Sequence, residues 1–273
     1  MQGAEVCVIA LDIKGAFDKV WHNGLCSKLM AKGVTGRLLL WINNYLSDRS
    51  INVVMSGQAS NTAPINASVP QGSILGPLLF SVFIDDLVDV CDNELYLYAD
   101  DSTLFAPIKS STDLNTVAAS INKDLSNMKV WADKWKVTFE PTKCKTMVIS
   151  RKRSPSKPDI YFGDCKLPST EELEILGVTI DSKLTWAKHI SGIATKAGQK
   201  LGALRKVANK LEAKGRSTVY KSQVRSIMEY ASLSWANASP TIPCQLDNIL
   251  KKALKMLLLG HSSTSPACFT DDR

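Results

Sequence analysis

The sequence predicts an α+β domain followed by an all-helical one. Two observations carry this: strand-like and helical patterns are interspersed up to residue 181, and only helical periodicity remains after residue 185. A third is the turn-forming run Arg151-Lys152-Arg153-Ser154-Pro155-Ser156-Lys157-Pro158, which offers a boundary between subdomains. With 273 residues, 45% hydrophobic and 22% charged, the chain has ordinary globular proportions. Disordered, collagen-like and low-complexity classes are excluded.

Val6 to Ile13 (VCVIALDI) is rich in β-branched residues and almost continuously apolar, as a buried central strand is, and ends at Asp12. Amphipathic helices are expected around 23–32 and 35–47. Residues 50–57 alternate like a strand, 58–72 are turn-rich and end in Pro70-Gln71-Gly72-Ser73, and 74–91 read as a helix. Residues 94–106 read as two short strands around a turn that holds Asp100 and Asp101. From Thr112 to Lys136 apolar residues recur at helical spacing; a strand follows at 144–150, and 159–181 is strand-like. The next helix, 185–211, carries one apolar stripe (Ile190, Ile193, Ala194, Ala197, Leu201, Leu204, Val207 and Leu211) with lysines over much of the rest. Helical patterns at 216–236 and 245–259 complete the chain, and no internal repeat is visible.

The net charge of +7 is unevenly placed. Residues 1–142 carry 11 basic and 15 acidic residues, a net −4, whereas residues 143–216 carry 16 and 7, a net +9. A basic block after an acidic one suits a protein that holds cations in one place and phosphate backbone in another; a solvated lysine-rich helix face has at least equal standing on charge alone. The seven cysteines form no CxxC pair and the three histidines are scattered, which disfavours a zinc site. Dispersed cysteines without a signal peptide point to reduced thiols in an intracellular protein, nuclear or cytoplasmic. The longest apolar run, 74–84, has 11 residues and contains Pro77, too short for the ~20 that span a membrane.

Asp12 at a strand end could be only a helix cap, and Asp100-Asp101 at a turn could be only turn formers. Two apolar strands that each deliver carboxylates to one end of a sheet can instead hold Mg²⁺, which takes a few carboxylates plus phosphate oxygens. Such a site suits displacement at phosphorus between two ions ~3.5–4 Å apart. Phe17, five residues after Asp12, could lie beside a nucleotide sugar and exclude a 2′-hydroxyl by bulk, or simply pack a turn.

Leu11-Asp12-Ile13-Lys14-Gly15-Ala16-Phe17-Asp18-Lys19-Val20, Pro70-Gln71-Gly72-Ser73-Ile74-Leu75-Gly76-Pro77 and Tyr98-Ala99-Asp100-Asp101 resemble motifs A, B and C of reverse transcriptases, in the right order. The surrounding sequence resembles the non-LTR (LINE-type, jockey-like) retrotransposon branch. Pro141-Thr142-Lys143-Cys144-Lys145-Thr146 is similar to motif D, with Glu140 departing from the commoner Asn, and Leu176-Gly177-Val178-Thr179-Ile180-Asp181 is similar to motif E, the primer-grip hairpin. The resemblance is firm from about residue 5 to 190 and looser to about 260.

The resemblance implies a right-hand polymerase palm (1–150), a hairpin connection (151–184) and a helical thumb (185–260), with 261–273 expected to be a disordered tail. It implies RNA-directed addition of dNTPs to a primer 3′-hydroxyl. Asp12, Asp100, Asp101 and the main-chain carbonyl of Ile13 would bind two Mg²⁺ ions, or Mn²⁺ in their place. Lys143 would assist the departing pyrophosphate, Phe17 would gate the sugar, and Gln71 and Gly72 would lie against the nucleotide and template. Lys188, Lys196, Lys200 and Arg205 would contact an RNA template, a DNA primer or their hybrid. Asp18 and His22 read as structural, satisfied by local turn or cap bonds. Motif A begins so near Met1 that fingers and endonuclease regions are expected to be missing, and the isolated chain is expected to polymerise weakly or not at all. The competing reading is an RNA- or hybrid-binding remnant without catalysis.

Overall fold

The computed structural model describes residues 5–108, 114–239, 241 and 243–258. The expected tail at 261–273 lies outside them. The chain divides into two compact units, Met1–Leu176 and Gly177–Arg273. The division therefore falls after the basic turn run at 151–158, because the segments that follow this run pack on the first unit: Thr146 donates its backbone N–H to Pro168 and accepts from Thr170.

The first unit is built on an antiparallel sheet ordered β6-β7-β1-β8, from β1 (Glu5–Asp12), β6 (Glu94–Tyr98), β7 (Asp101–Ile108) and β8 (Lys145–Ile149). β1 is paired on both sides, as its apolar run predicts. Side chains alternate across a sheet, so Cys7, Ile9 and Leu11 of β1 join Leu104, Ala106 and Ile108 of β7 in one core. The core is completed by α1 (His22–Ala31), α2 (Gly36–Leu46), α3 (Leu75–Ile84) and α4 (Leu114–Trp135). At its centre Phe83, Leu25, Leu104, Ile121 and Leu125 are fully buried, each such side chain contributing about 1.5–3 kcal/mol of transfer free energy.

Two expectations are corrected here. The strand expected at 50–57 is broken into β2 (Arg49–Ile51) and β3 (Val54–Met55), and the turn-rich stretch supplies their partners, β5 (Ala63–Ile65) and β4 (Gln58–Ala59). The break follows from the turn Ser56-Gly57, both at positive φ, the type I′ pattern that closes a hairpin between Met55 and Gln58. The helix expected over 74–91 stops at Ile84 and tightens into a 3₁₀ segment, Asp85–Val90. There Asp86 pairs with Lys28 and Asp85 with Lys32, both from the α1 side. Lys28, nearly buried, also donates to the Phe83 carbonyl and lies against the rings of Trp131 and Trp135. The strand-like stretch 159–181 resolves into four short strands: β9 (Tyr161–Phe162), β10 (Cys165–Lys166), β11 (Glu172–Ile175) and β12 (Val178–Asp181).

In the second unit, α5 (Ala187–Val207) buries Ile190, Ile193, Ala197, Leu201 and Leu204 of the predicted stripe, whereas Val207 at its end is exposed and Leu211 follows a 3₁₀ turn outside the helix. It packs on α9 (Cys244–Leu258), whose Leu246, Ile249, Ala253 and Met256 face inward. The helix expected over 216–236 is α6 (Ala213–Tyr220), one π turn, α7 (Ser226–Glu229) and, after a left-handed Ala231, α8 (Ser232–Trp235).

Candidate active site

The register of β1 and β7 sets Asp12 opposite Asp101, so both carboxylates project from the sheet face away from the helices. Tyr98 pairs with Asp101 across β6 and β7, leaving Ala99-Asp100 as a two-residue turn with Ala99 at φ +51°. A non-glycine residue there costs about 1–2 kcal/mol, strain that the paired strands hold in place. Asp12, Asp100 and Asp101 thus share one end of the sheet. Partial burial, then the charges of Asp100 and Asp12, push the Asp101 carboxyl above its usual range.

Residues 138–144 run alongside the end of β1. Lys14 donates its backbone N–H to Thr138, Glu140 donates its own to Asp12, and Ile13 bridges Phe139. In such a bridge the flanking residues make the bonds, so the Ile13 carbonyl points to the opposite side and is left free by this segment. The same alignment carries Lys143 to Asp12, Nζ to Oδ2 3.4 Å, and Lys14 to Glu140 at 3.5 Å. Hydrogen bonding from Thr142 and the Lys14 charge hold the Glu140 carboxyl below its usual range. Burial pushes the adjacent Cys144 thiol to about 11, which keeps it protonated and inert at neutral pH.

Phe17 opens a 3₁₀ turn, half-buried, its ring stacked on Phe80 with centroids 4.7 Å apart. Its carbonyl accepts from Val69, which ties the turn after β1 to the segment before α3. In that segment Gly72 has φ +81°, with open space where a Cβ would stand, so its backbone conformation is what calls for glycine. At Gly76 the need is steric, because a Cβ would sit 2.7 Å from the Pro70 carbonyl oxygen. Gln71 donates to the Asp18 carboxylate at 2.7 Å, and His22 meets the Ser68 carbonyl at 2.8 Å. The local turn or cap bonds expected for Asp18 and His22 are corrected: both side chains bond across the chain instead. A sequence read segment by segment could not supply either pairing.

Next to Asp101, a cleft of about 660 Å³ is lined by Val6, Tyr96, Tyr98, Thr103 and Phe105. Tyr96 and Tyr98 are 59% and 67% exposed. The alternation along 94–98 was the available signal for this aromatic shelf, which sequence reasoning passed over. The basic residues of α5 do not form one row. At about 100° per residue, Lys196 and Lys200 flank the buried stripe on one side and Arg205 on the other, and all of them, with Lys188, are exposed.

The three carboxylates are suited to a divalent cation. Among the described residues, no group of three His, Cys, Asp or Glu side chains is already gathered to hold a metal ion. The mutual charge at Asp101 is the kind that a bound cation relieves.

Residues 1–180 match the family described as reverse transcriptase (RNA-dependent DNA polymerase). The chain belongs to that family. Its relatives include the RNA-directed DNA polymerase from mobile element jockey of Drosophila melanogaster, 32% identical over 84% of this chain and 26% of the relative. The probable RNA-directed DNA polymerase from transposon BS of the same species is 28% identical over 93% and 29%. The chain thus spans about a quarter of the length of the curated relatives it matches. Among solved structures, apo telomerase from Candida tropicalis aligns with 94% of this chain and 43% of its own, at 14% identity and a TM-score of 0.49. The reverse transcriptase match spans the sheet, the turn carrying Asp100 and Asp101, and the Lys143 segment. Among the described residues, no helix is long and apolar enough to cross a membrane.

Proposed function

We propose that this chain carries the catalytic palm of an RNA-directed DNA polymerase of a non-LTR retrotransposon, extending a primer 3′-hydroxyl with dNTPs. The reading rests on one observation above all: Asp12 and Asp101 in cross-strand register, with Asp100 in the adjoining turn. The palm corresponds to 1–150, a primer-grip-like connection to 151–184 and a thumb to 185–260.

Asp12, Asp100, Asp101 and the Ile13 carbonyl would hold two Mg²⁺ ions. When bound, the ions supply Lewis-acid stabilisation of the attacking oxygen and of the leaving pyrophosphate. Lys143, whose ammonium lies 3.4 Å from the Asp12 carboxylate, would turn to the pyrophosphate and donate charge or a proton. Phe17, braced by Phe80, limits room at the sugar 2′ position, and Gly72 leaves the backbone bare beside Gln71. An RNA template, a DNA primer and their hybrid are the partners, with Lys188, Lys196, Lys200 and Arg205 on backbone phosphates.

Mn²⁺ binding and primer extension on an RNA template test the assignment, each compared with Asp101→Asn. Ligand charge count sets affinity, so the variant should bind Mn²⁺ roughly tenfold or more weakly and lose whatever extension the wild type shows. Equal Mn²⁺ binding by both proteins would defeat the metal assignment and leave a non-catalytic RNA-binding remnant as the better reading.

A further inference from the structure

Four charges alternate along the end of β1. Lys14 meets Glu140 at 3.5 Å and Lys143 meets Asp12 at 3.4 Å. The Lys143 charge, after the Thr142 hydrogen bond and the Lys14 charge, helps to hold the Glu140 carboxyl below its usual range. Lys143 therefore stands between two carboxylates, of which the function proposed above uses only Asp12.

The backbone fixes both carboxylates relative to Lys143. Glu140 donates its N–H to the Asp12 carbonyl at 2.9 Å, and its own carbonyl accepts from Lys143 at 2.9 Å and from Cys144 at 3.3 Å, so residues 140–144 close a tight turn against the strand end. The Glu140 side chain is only 25% exposed and is held at both oxygens, Oε1 by the Thr142 hydroxyl at 3.0 Å and Oε2 by Lys14. A carboxylate offers about four acceptor positions, so this one has room for a further donor. Lys143 is the opposite case, an ammonium on a flexible stem that is 65% exposed. A fixed anion thus adjoins a mobile cation. A divalent cation at about 2.0–2.1 Å from the Asp12 oxygen would face that ammonium across a few ångströms, where like charges repel strongly. The ammonium has to leave Asp12, and its own turn offers Glu140.

We propose that Glu140 is a positioning residue for Lys143: it takes over the ammonium when a divalent cation occupies Asp12 and keeps it at the rim of the site for the departing pyrophosphate. This role rests on the metal assignment above.

Calorimetric Mg²⁺ titration of the whole chain tests this in wild type, Glu140→Gln, Lys143→Met and the double variant. Glutamine keeps the side-chain shape and an oxygen for the Thr142 hydroxyl, so the turn is preserved. Glu140→Gln should weaken Mg²⁺ binding about 2–5-fold more with Lys143 present than in the Lys143→Met background, the span of an exposed ion pair. A long-range field from Glu140 would weaken both alike, so equal losses overturn the role. By NMR, contacts between the Lys143 ε-protons and the Glu140 γ-protons should strengthen when Mg²⁺ is added; contacts that Mg²⁺ leaves unchanged overturn it too. A wild type that binds no Mg²⁺ defeats the metal assignment and this role together, whereas Mg²⁺ binding with either negative result leaves the assignment standing and removes only the role.

Discussion

Phe17 packs one ring face on Phe80 and leaves the rest half-exposed, so a core role and a gating role meet in one side chain. Replacing it with Val removes an aromatic contact worth about 0.5–1.5 kcal/mol and opens the space beside the sugar. In a polymerising preparation, Phe17→Val should raise ribonucleotide incorporation relative to dNTPs while lowering thermal stability by that modest amount. Unchanged sugar discrimination, with the stability loss present, would reduce Phe17 to packing alone. At this scale the sequence was most legible where side chains come in a fixed spacing: Asp12, Asp100 and Asp101 arrive at one end of one sheet as expected. It was silent where partners are distant. Gln71 and Asp18 are 53 residues apart, and nothing in either neighbourhood announces the other.

Asp181, the last residue of β12, accepts from the backbone N–H groups of Lys183, Thr185 and Trp186 and from the Thr185 hydroxyl. It thereby organises the left-handed entry at Trp186 into α5. Partial burial alone would raise its carboxyl; these donors outweigh it and hold the group below its usual range. A depressed carboxyl contributes stability that is present above its unfolded value and lost as pH falls through the folded one. Asp181→Ala should therefore destabilise the second unit by about 1 kcal/mol at neutral pH and flatten the acid limb of its unfolding curve. An acid limb identical to wild type would show that the loop is held by something else. Among the elements, β1, α4 and α5 were readable because each has a long one-sided apolar pattern. The hairpins at 49–65 were not, since their strands are two or three residues long and mostly exposed, so burial imposes no alternation on them.

Across the whole molecule, the basic block 143–216 straddles the division at Leu176, with the carboxylates in Met1–Leu176 and the lysine-rich α5 in Gly177–Arg273. Neutralising Lys196 and Lys200 together should reduce the salt slope of hybrid binding by about 1–2, with Mn²⁺ binding at Asp101 unaffected. An unaltered slope would move the nucleic-acid track off that flank of α5. The α+β-then-helical order was legible in the periodicity, whereas the division point at Leu176 was not. Composition marks where a chain can turn, and only tertiary pairing decides which unit the following strands join. The register of β1 has one more consequence, in terms of inheritance. Because a slip by one residue would carry Asp12 to the helix-packed side and drive Cys7, Ile9 and Leu11 out of the core, an insertion or deletion inside this strand cannot silence the chemistry and spare the fold. Within β1, the Asp12 carboxylate can be lost with the packing kept only by substitution at that position.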